Sequence, residues 1–300
     1  MTKVERILAV LEGRPVDKLP KGEFYLEDEL VRKLIQEKNS LTPSRIDLEE
    51  KDEAYERLGI DALVFMPEKG KEEPWQELAT WRLKKDYFLF ALIDGPFQGV
   101  GYGYEDFMEF LMDTRDEEKL QDLIQKAMNK SLELGKKALV AGAHGILIAD
   151  DIAYNHSTYV SPTILRNNFF PHTKELMDNL NREALELRGE KVPFFFHSDG
   201  NILSVIKDLK GMGFQGIHSL EPVMDMAQIR EEAGDMCLMG GYDLSWFFTG
   251  GISKAEELLQ EALKGPYIFG STSGILSGDL EPEPIIKVYD FVDEYFKTEK

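Results

Sequence analysis

Val192–Asn201 reads VPFFFHSDGN, and this stretch decides how the chain folds. Val192, Pro193, Phe194, Phe195 and Phe196 run without a break into His197-Ser198-Asp199-Gly200-Asn201. An apolar run of this length suits a strand covered on both faces, as in a parallel sheet. The residues capable of chemistry then stand where the strand ends, which is where parallel α/β barrels carry their sites. His197 and Asp199 are two apart and share a face in extended geometry. Gly200 lets the chain turn, and Asn201 can cap the helix that follows.

The same rhythm extends outward in both directions. Pro15–Phe24, Asp61–Met66, Phe88–Phe97, Gly145–Ile152, Gly216–Glu221, Cys237–Asp243 and Tyr267–Ser273 read as further strands. A capping-box pattern, Thr2-x-x-Glu5, opens an amphipathic helix that stops at Gly13. Helices are expected over Glu27–Gln36, Ser44–Leu58, Arg115–Ala143, Pro162–Leu187, Met224–Ala233, Ser253–Leu263 and Pro284–Phe296. The Gly- and Tyr-rich stretch Gln98–Glu105 is expected to be a mobile loop over the mouth. About eight strands alternating with helices predict an α/β fold, a (β/α)8 barrel. It spans residues 1–300 as one domain, with an N-terminal helical extension. A doubly wound sheet is the second choice, and no Gly-x-Gly-x-x-Gly follows a strand.

Composition narrows the partners. An apolar share of 43% supports a sizeable core, and a net charge of -20 disfavours nucleic acid and anionic membranes. One cysteine, Cys237, excludes internal disulfides and multi-cysteine metal sites and fits a reducing cytosol. The N-terminus has no apolar signal region and no run reaches transmembrane length, so a soluble, cytoplasmic protein is expected. Oligomeric state, a homodimer included, is left open.

Strand ends collect Asp150, Asp151, His197, Asp199, Glu221, Asp243 and Ser273. Carboxylates and a histidine converging on a barrel mouth make an inventory for catalytic zinc. His197, Asp199 and Glu221 are the expected metal ligands, and Asp150, Asp151 and Asp243 the expected acids. Phe24, Tyr25, Tyr102, Tyr104, Tyr154, Tyr242 and Trp246 lie near expected mouth loops. Phe24, Tyr154, Tyr242 and Trp246 are expected to wall a flat substrate. The bland alternative is that mouth carboxylates cap helices and aromatics pack. His218, in mid-strand, is expected to be a satisfied core histidine. His144 and His172 are expected to be structural or exposed. Cys237 is expected to be a buried small hydrophobe, and Gly240-Gly241 to allow close backbone approach.

These segments together resemble the uroporphyrinogen decarboxylase superfamily. The resemblance rests on Arg6–Pro20, the Gly95–Phe97 GPF, Ala143–Ile152 with its paired aspartates, Ser161-Pro162, His197–Asn201, Gly240–Asp243 and Gly270–Ile275. It implies a (β/α)8 barrel with its site at the C-terminal mouth. The decarboxylase branch grips porphyrinogen carboxylates with Arg-Gln-Ala-Gly-Arg. Here that segment is Lys21-Gly22-Glu23-Phe24-Tyr25, and the decarboxylase aspartate is missing from FMPEKG. The other branch is similar to cobalamin-dependent methyltransferases. Those acting on coenzyme M hold zinc with His-x-Cys and a later cysteine; the chain instead has His197-x-Asp199 and Ser273. Imidazole and carboxylate donors leave zinc harder than thiolates do, which suits a departing oxygen. The resemblance therefore implies a methyltransferase of O-demethylase type. It would pass a methyl group from a small O-methylated substrate, such as an aryl methyl ether, to cobalt(I) on a separate corrinoid protein. The rivals are a tetrapyrrole decarboxylase and a non-catalytic barrel that docks a corrinoid protein.

Overall fold

A computed structural model describes residues 1–35 and 46–298. The ends expected at Gln36 and Ser44 lie outside the described residues. Eight parallel strands follow one another in strict chain order: β1 Gly22–Glu23, β2 Ala62–Phe65, β3 Phe88–Asp94, β4 Gly145–Ala149, β5 Phe194–His197, β6 Gly216–Ser219, β7 Cys237–Tyr242 and β8 Tyr267–Ser271. Lys21 bridges Phe269, so the last strand meets the first and the sheet is a (β/α)8 barrel. The expected strand at Pro15–Phe24 is reduced to two residues. Short helices at Gln76–Lys84 and Phe107–Asp113 add to those read from sequence.

Because both faces are covered, the strands split their apolar residues between two layers. Phe88, Phe90, Leu147, Phe195, Cys237, Met239 and Ile268 fill the interior. Leu89, Ile146, Ile148, Phe194, Phe196, Ile217 and Leu238 face the helices. The helix Lys3–Leu11 closes the bottom: Ile7, Ala9 and Val10 join the interior cluster. Its capping box forms as expected, Thr2 Oγ1 accepting from Glu5 N at 3.1 Å and Glu5 Oε2 from Thr2 N at 2.9 Å. Arg6 from this helix is buried against Asp61, just ahead of β2, and also holds Asp17 at 2.7 Å. Cys237 sits among the interior residues, its thiol pushed up to about 12 by burial, which fits the inert reading.

The seam between β1 and β8 has little ladder to hold it. Gly270 is required there, since a Cβ would lie 2.1 Å from the Gly22 carbonyl oxygen. Besides the Lys21–Phe269 bridge, the seam is held by Glu23, which is fully buried. Glu23 Oε1 accepts from Ser271 N at 2.7 Å and from the Tyr289 hydroxyl on the last helix, Pro282–Thr298; Oε2 lies 2.6 Å from Ser271 Oγ. Burial raises this carboxyl to about 7. A native value above the unfolded 4.5 means that the native state holds the extra proton. The associated stability is complete below about pH 4.5 and is lost as the pH rises through 7.

Glu23→Gln keeps every contact, because its amide NH2 can donate to Ser271 Oγ as the protonated acid does. The unfolding free energy of the wild type should therefore fall between about pH 5 and 7, relative to Glu23→Gln, by up to about 1.4 kcal/mol per pH unit. Urea titrations of both proteins at stepped pH give the difference; parallel curves would refute a buried, protonated Glu23.

Candidate active site

The C-terminal ends of β3 to β7 deliver the chemistry. Register sets it: Asp94 pairs with Ala149, Ala149 with His197, His197 with His218, and His218 with Met239, so these positions form one interior layer. Asp151 and Asp199 stand just above, on the loops that leave β4 and β5. One donor atom each from Asp151, His197 and Asp199 lie within 4.8 Å of one another. His197 Nε2 is 3.9 Å from Asp151 Oδ1, and Asp151 Oδ1 accepts from Asp199 N at 3.1 Å. Among the described residues, no Lys or Arg forms an ion pair with Asp94, Asp151, Asp199, Glu221 or Asp243. A nitrogen and two oxygens converging without a neutralising cation fit a divalent ion with open positions.

His218 is in the core, where the sequence reading placed it, but it also joins the site. It is fully buried, as expected of a core histidine, but it is not satisfied within the core. Its Nδ1 lies 2.9 Å from His197 Nδ1, and its Nε2 has no hydrogen-bond partner. The pair leaves His197 Nε2 as the nitrogen turned toward Asp151. Phe24 packs against both rings, 4.7 Å from His218 and edge-on at 5.6 Å from His197. Burial pushes both imidazoles down, which keeps them neutral; Asp151 and Asp199 oppose this at His197. A neutral imidazole is the form that ligates a metal.

Gln98 orders the carboxylates. Its Oε1 accepts from Asp151 N at 3.1 Å, and its Nε2 donates to Asp94 Oδ1 at 3.1 Å and to the Tyr102 hydroxyl at 2.8 Å. This corrects the expected mobile loop over Gln98–Glu105: Pro96–Gly101 is helical, with Pro96 in its first turn. Asp150 is what starts it. Its Oδ1 accepts from Gln98 N at 2.8 Å, and Gly95 is needed because a Cβ would lie 2.3 Å from the Asp150 carboxyl carbon. Asp150 is thus buried beneath the helix, not at the mouth, and burial raises it to about 8.

The other expected residues divide. Glu221 reaches the acidic mouth after Leu220, a non-glycine residue at φ 63°. Burial first, then Asp199, Asp243 and Asp151, raise its carboxyl; the Gly200 backbone opposes them. It is not in the close donor group, where Asp151 takes the place expected for it. Asp94, which sequence reading missed, is raised by burial and more weakly by Asp151. Asp243 accepts from Ser245 N at 2.8 Å and shapes its own turn. Tyr242 is fully buried on the helix side, its hydroxyl donating to Gly251 O at 3.0 Å, so its expected substrate role is corrected to packing. Trp246 packs against it edge-on at 5.4 Å, within the same outer layer. Tyr154 is exposed and stacks on Tyr159 at 5.5 Å. Gly240 does allow close approach, a Cβ there lying 2.8 Å from Ser271 O. His144 is structural, its Nδ1 accepting from Leu89 N at 3.0 Å.

Fold and mouth together define a (β/α)8 barrel with a histidine-carboxylate centre at its C-terminal end. The chain belongs to the uroporphyrinogen decarboxylase (URO-D) family, whose model matches residues 76–295. Among solved structures, a methyltransferase from Methanosarcina mazei superposes with a TM-score of 0.73 at 18% identity, over 99% of each chain. D-psicose 3-epimerase from Clostridium cellulolyticum H10 gives 0.50 at 14% identity, over 84% of this chain and 94% of that one. At such identities the likeness is one of fold. No curated protein matches by sequence. No helix among the described residues is long and apolar enough to cross a membrane.

The donor group predicts which side chains bind a metal. Cobalt(II) added to the purified protein should give a visible absorption band that His197→Ala, Asp151→Ala and Asp199→Ala each weaken at least about tenfold. Glu221→Gln should keep it. A band lost in Glu221→Gln but kept in Asp151→Ala would restore the ligand set expected from sequence.

Proposed function

We propose that this chain is a corrinoid-protein-dependent methyltransferase acting on a small O-methylated substrate, with aryl methyl ethers the leading type. The methyl group goes to the cobalt of a separate corrinoid protein. The observation that carries this reading is the donor group of Asp151, His197 and Asp199 in a mouth where no lysine or arginine is paired with the acids. A tetrapyrrole with several carboxylates would face Asp94, Asp151, Asp199 and Glu221, none of which is ion-paired to a lysine or arginine among the described residues. A compact ether carries no such charge. The Methanosarcina mazei neighbour, itself a methyltransferase, supports the direction of the reading.

His197, Asp151 and Asp199 would hold a zinc ion. When bound, it would act as a hard Lewis acid at oxygen. As the carbon–oxygen bond breaks, the electron pair stays on oxygen, which then needs a proton. Glu221 and Asp94, whose carboxyls burial raises above their ordinary range, would be its source. Gln98 positions Asp94 and Asp151 together. Phe24 packs against the two histidines. Charge on the departing oxygen exists mainly in the transition state, so removing these groups lowers the transfer rate more than substrate binding.

Single-turnover demethylation of a panel of methyl ethers, followed through the absorption of the reduced corrinoid protein, tests this. His197→Ala should slow transfer about 10²–10³-fold, and removing metal with a chelator should act in the same direction. Transfer by His197→Ala at the wild-type rate, or no methylation from any donor, overturns the proposal. Uroporphyrinogen should not be decarboxylated, and clear turnover of it would favour the decarboxylase instead.

A further inference from the structure

A cleft of about 200 Å3 opens beside the carboxylates, lined mainly by Phe97, Gln98, Tyr102, Phe107, Asp151 and Tyr159. Of the mouth aromatics read from sequence, Tyr102 lies in it, while Phe24, Tyr154, Tyr242 and Trp246 do not. Its aromatic rings are unusually open: Tyr102 is 72% exposed, Phe107 42% and Tyr159 38%. Rings this exposed and gathered at one place mark a binding surface. Phe107 and Tyr159 meet nearly at right angles, 4.9 Å apart, and so form a corner against which a flat group can lie.

The polar side of the cleft is one-sided. The Gln98 amide is fully engaged by Asp151 N, Asp94 and Tyr102. The Tyr102 hydroxyl accepts from Gln98 and keeps its own hydrogen to donate. Asp151 is the charged group in the lining, with Asp199 N on its Oδ1. Beyond it stand Asp94 and Asp199, and among the described residues no lysine or arginine lines the cleft. The cations that act on Asp94, Lys69 and Lys130, lie outside it.

We propose that this cleft is the ring site for the substrate, and that it takes uncharged or cationic methoxyarenes and rejects those carrying a carboxylate. The assignment rests on the methyltransferase reading for the word substrate; the cleft's ligand preference stands on its own lining. An ammonium group gains from the aromatic faces and from Asp151. With the metal site empty, a carboxylate meets like charge from Asp151 and from Asp94 behind it; a metal ion on Asp151 would offset the first, so the preference is read on the metal-free protein.

Titration calorimetry on protein freed of metal by a chelator tests the preference with three probes that share one ring: 2-methoxyphenol, 4-hydroxy-3-methoxybenzylamine and 4-hydroxy-3-methoxybenzoate. The benzoate should bind at least about tenfold more weakly than the phenol, and the benzylamine at least as tightly as the phenol. Phe107→Ala and Tyr159→Ala, both at exposed positions, should weaken phenol binding about three- to tenfold. Asp151→Asn should narrow the gap between benzoate and benzylamine. Equal or tighter binding of the benzoate, binding of none of the three at millimolar concentration, or phenol binding unmoved by both alanines overturns the assignment. Ligands that bind in this order but never pass a methyl group to the corrinoid protein would refute the methyltransferase reading and leave the cleft assignment intact. Preferred demethylation of the benzoate would do the reverse.

Discussion

A parallel barrel is only as good as its seam, and this one is closed by side-chain atoms as much as by backbone. Its first strand is two residues long. Glu23 binds both the backbone and the hydroxyl of Ser271 and is tied through Tyr289 to the last helix. The Gly270 backbone presses on Gly22 from the other side. Everything above the seam follows. Phe24, the next residue, packs against His197 and His218, and the Tyr25–Leu26 segment pairs with Ile275–Leu276 along one side of the mouth.

The interior imposes its own terms on the site. Parallel strands in register bring His197 and His218 to the same level, so two imidazoles share a dry layer with phenylalanine packed against them. Two adjacent charges there would be costly, and the pair stays neutral. Apart from Asp94, which shares that layer, the acid groups collect one step higher, where the loops begin. The site is therefore graded: apolar below, imidazole in the middle, carboxylate at the rim.

Much of this was legible in the sequence, for reasons that can be named. The run from Val192 to Phe196 marks a strand covered on both faces, and the polar residues after it mark the end that carries function. The spacing of His197 and Asp199 places them on one face, and the structure groups them. The same double burial hides other things. When both faces of a strand are apolar, alternation no longer says which residues point inward, so Tyr242 could be assigned to the wrong surroundings and the place of His218 beside the site missed. Asp94 was passed over because it ends FLFALID without a second polar neighbour to draw attention. Gln98 was read as part of a loop because glycines and tyrosines dominate its stretch. Its helix is started from outside by Asp150, a contact across 52 positions that no local pattern reveals. Asp150 and Asp151 look equivalent in sequence, yet adjacent residues leave a strand on opposite sides, and only Asp151 reaches the mouth.

The bottom of the barrel has a consequence for how the molecule is made. Ile7, Ala9 and Val10 leave the ribosome long before Ile268 of the last strand, yet the interior they cap is bounded by it. The Lys21–Phe269 bridge joins the same two ends. Until the final strand emerges, the growing sheet has two unpaired edges and an open floor, a condition that invites pairing with other chains. Closure through contacts so distant along the chain is intrinsically slow. The plug helix meanwhile has an amphipathic face with no surface to cover. Translation therefore supplies the stopper long before the vessel, and the nascent chain must keep that apolar stripe from other partners until strand eight arrives.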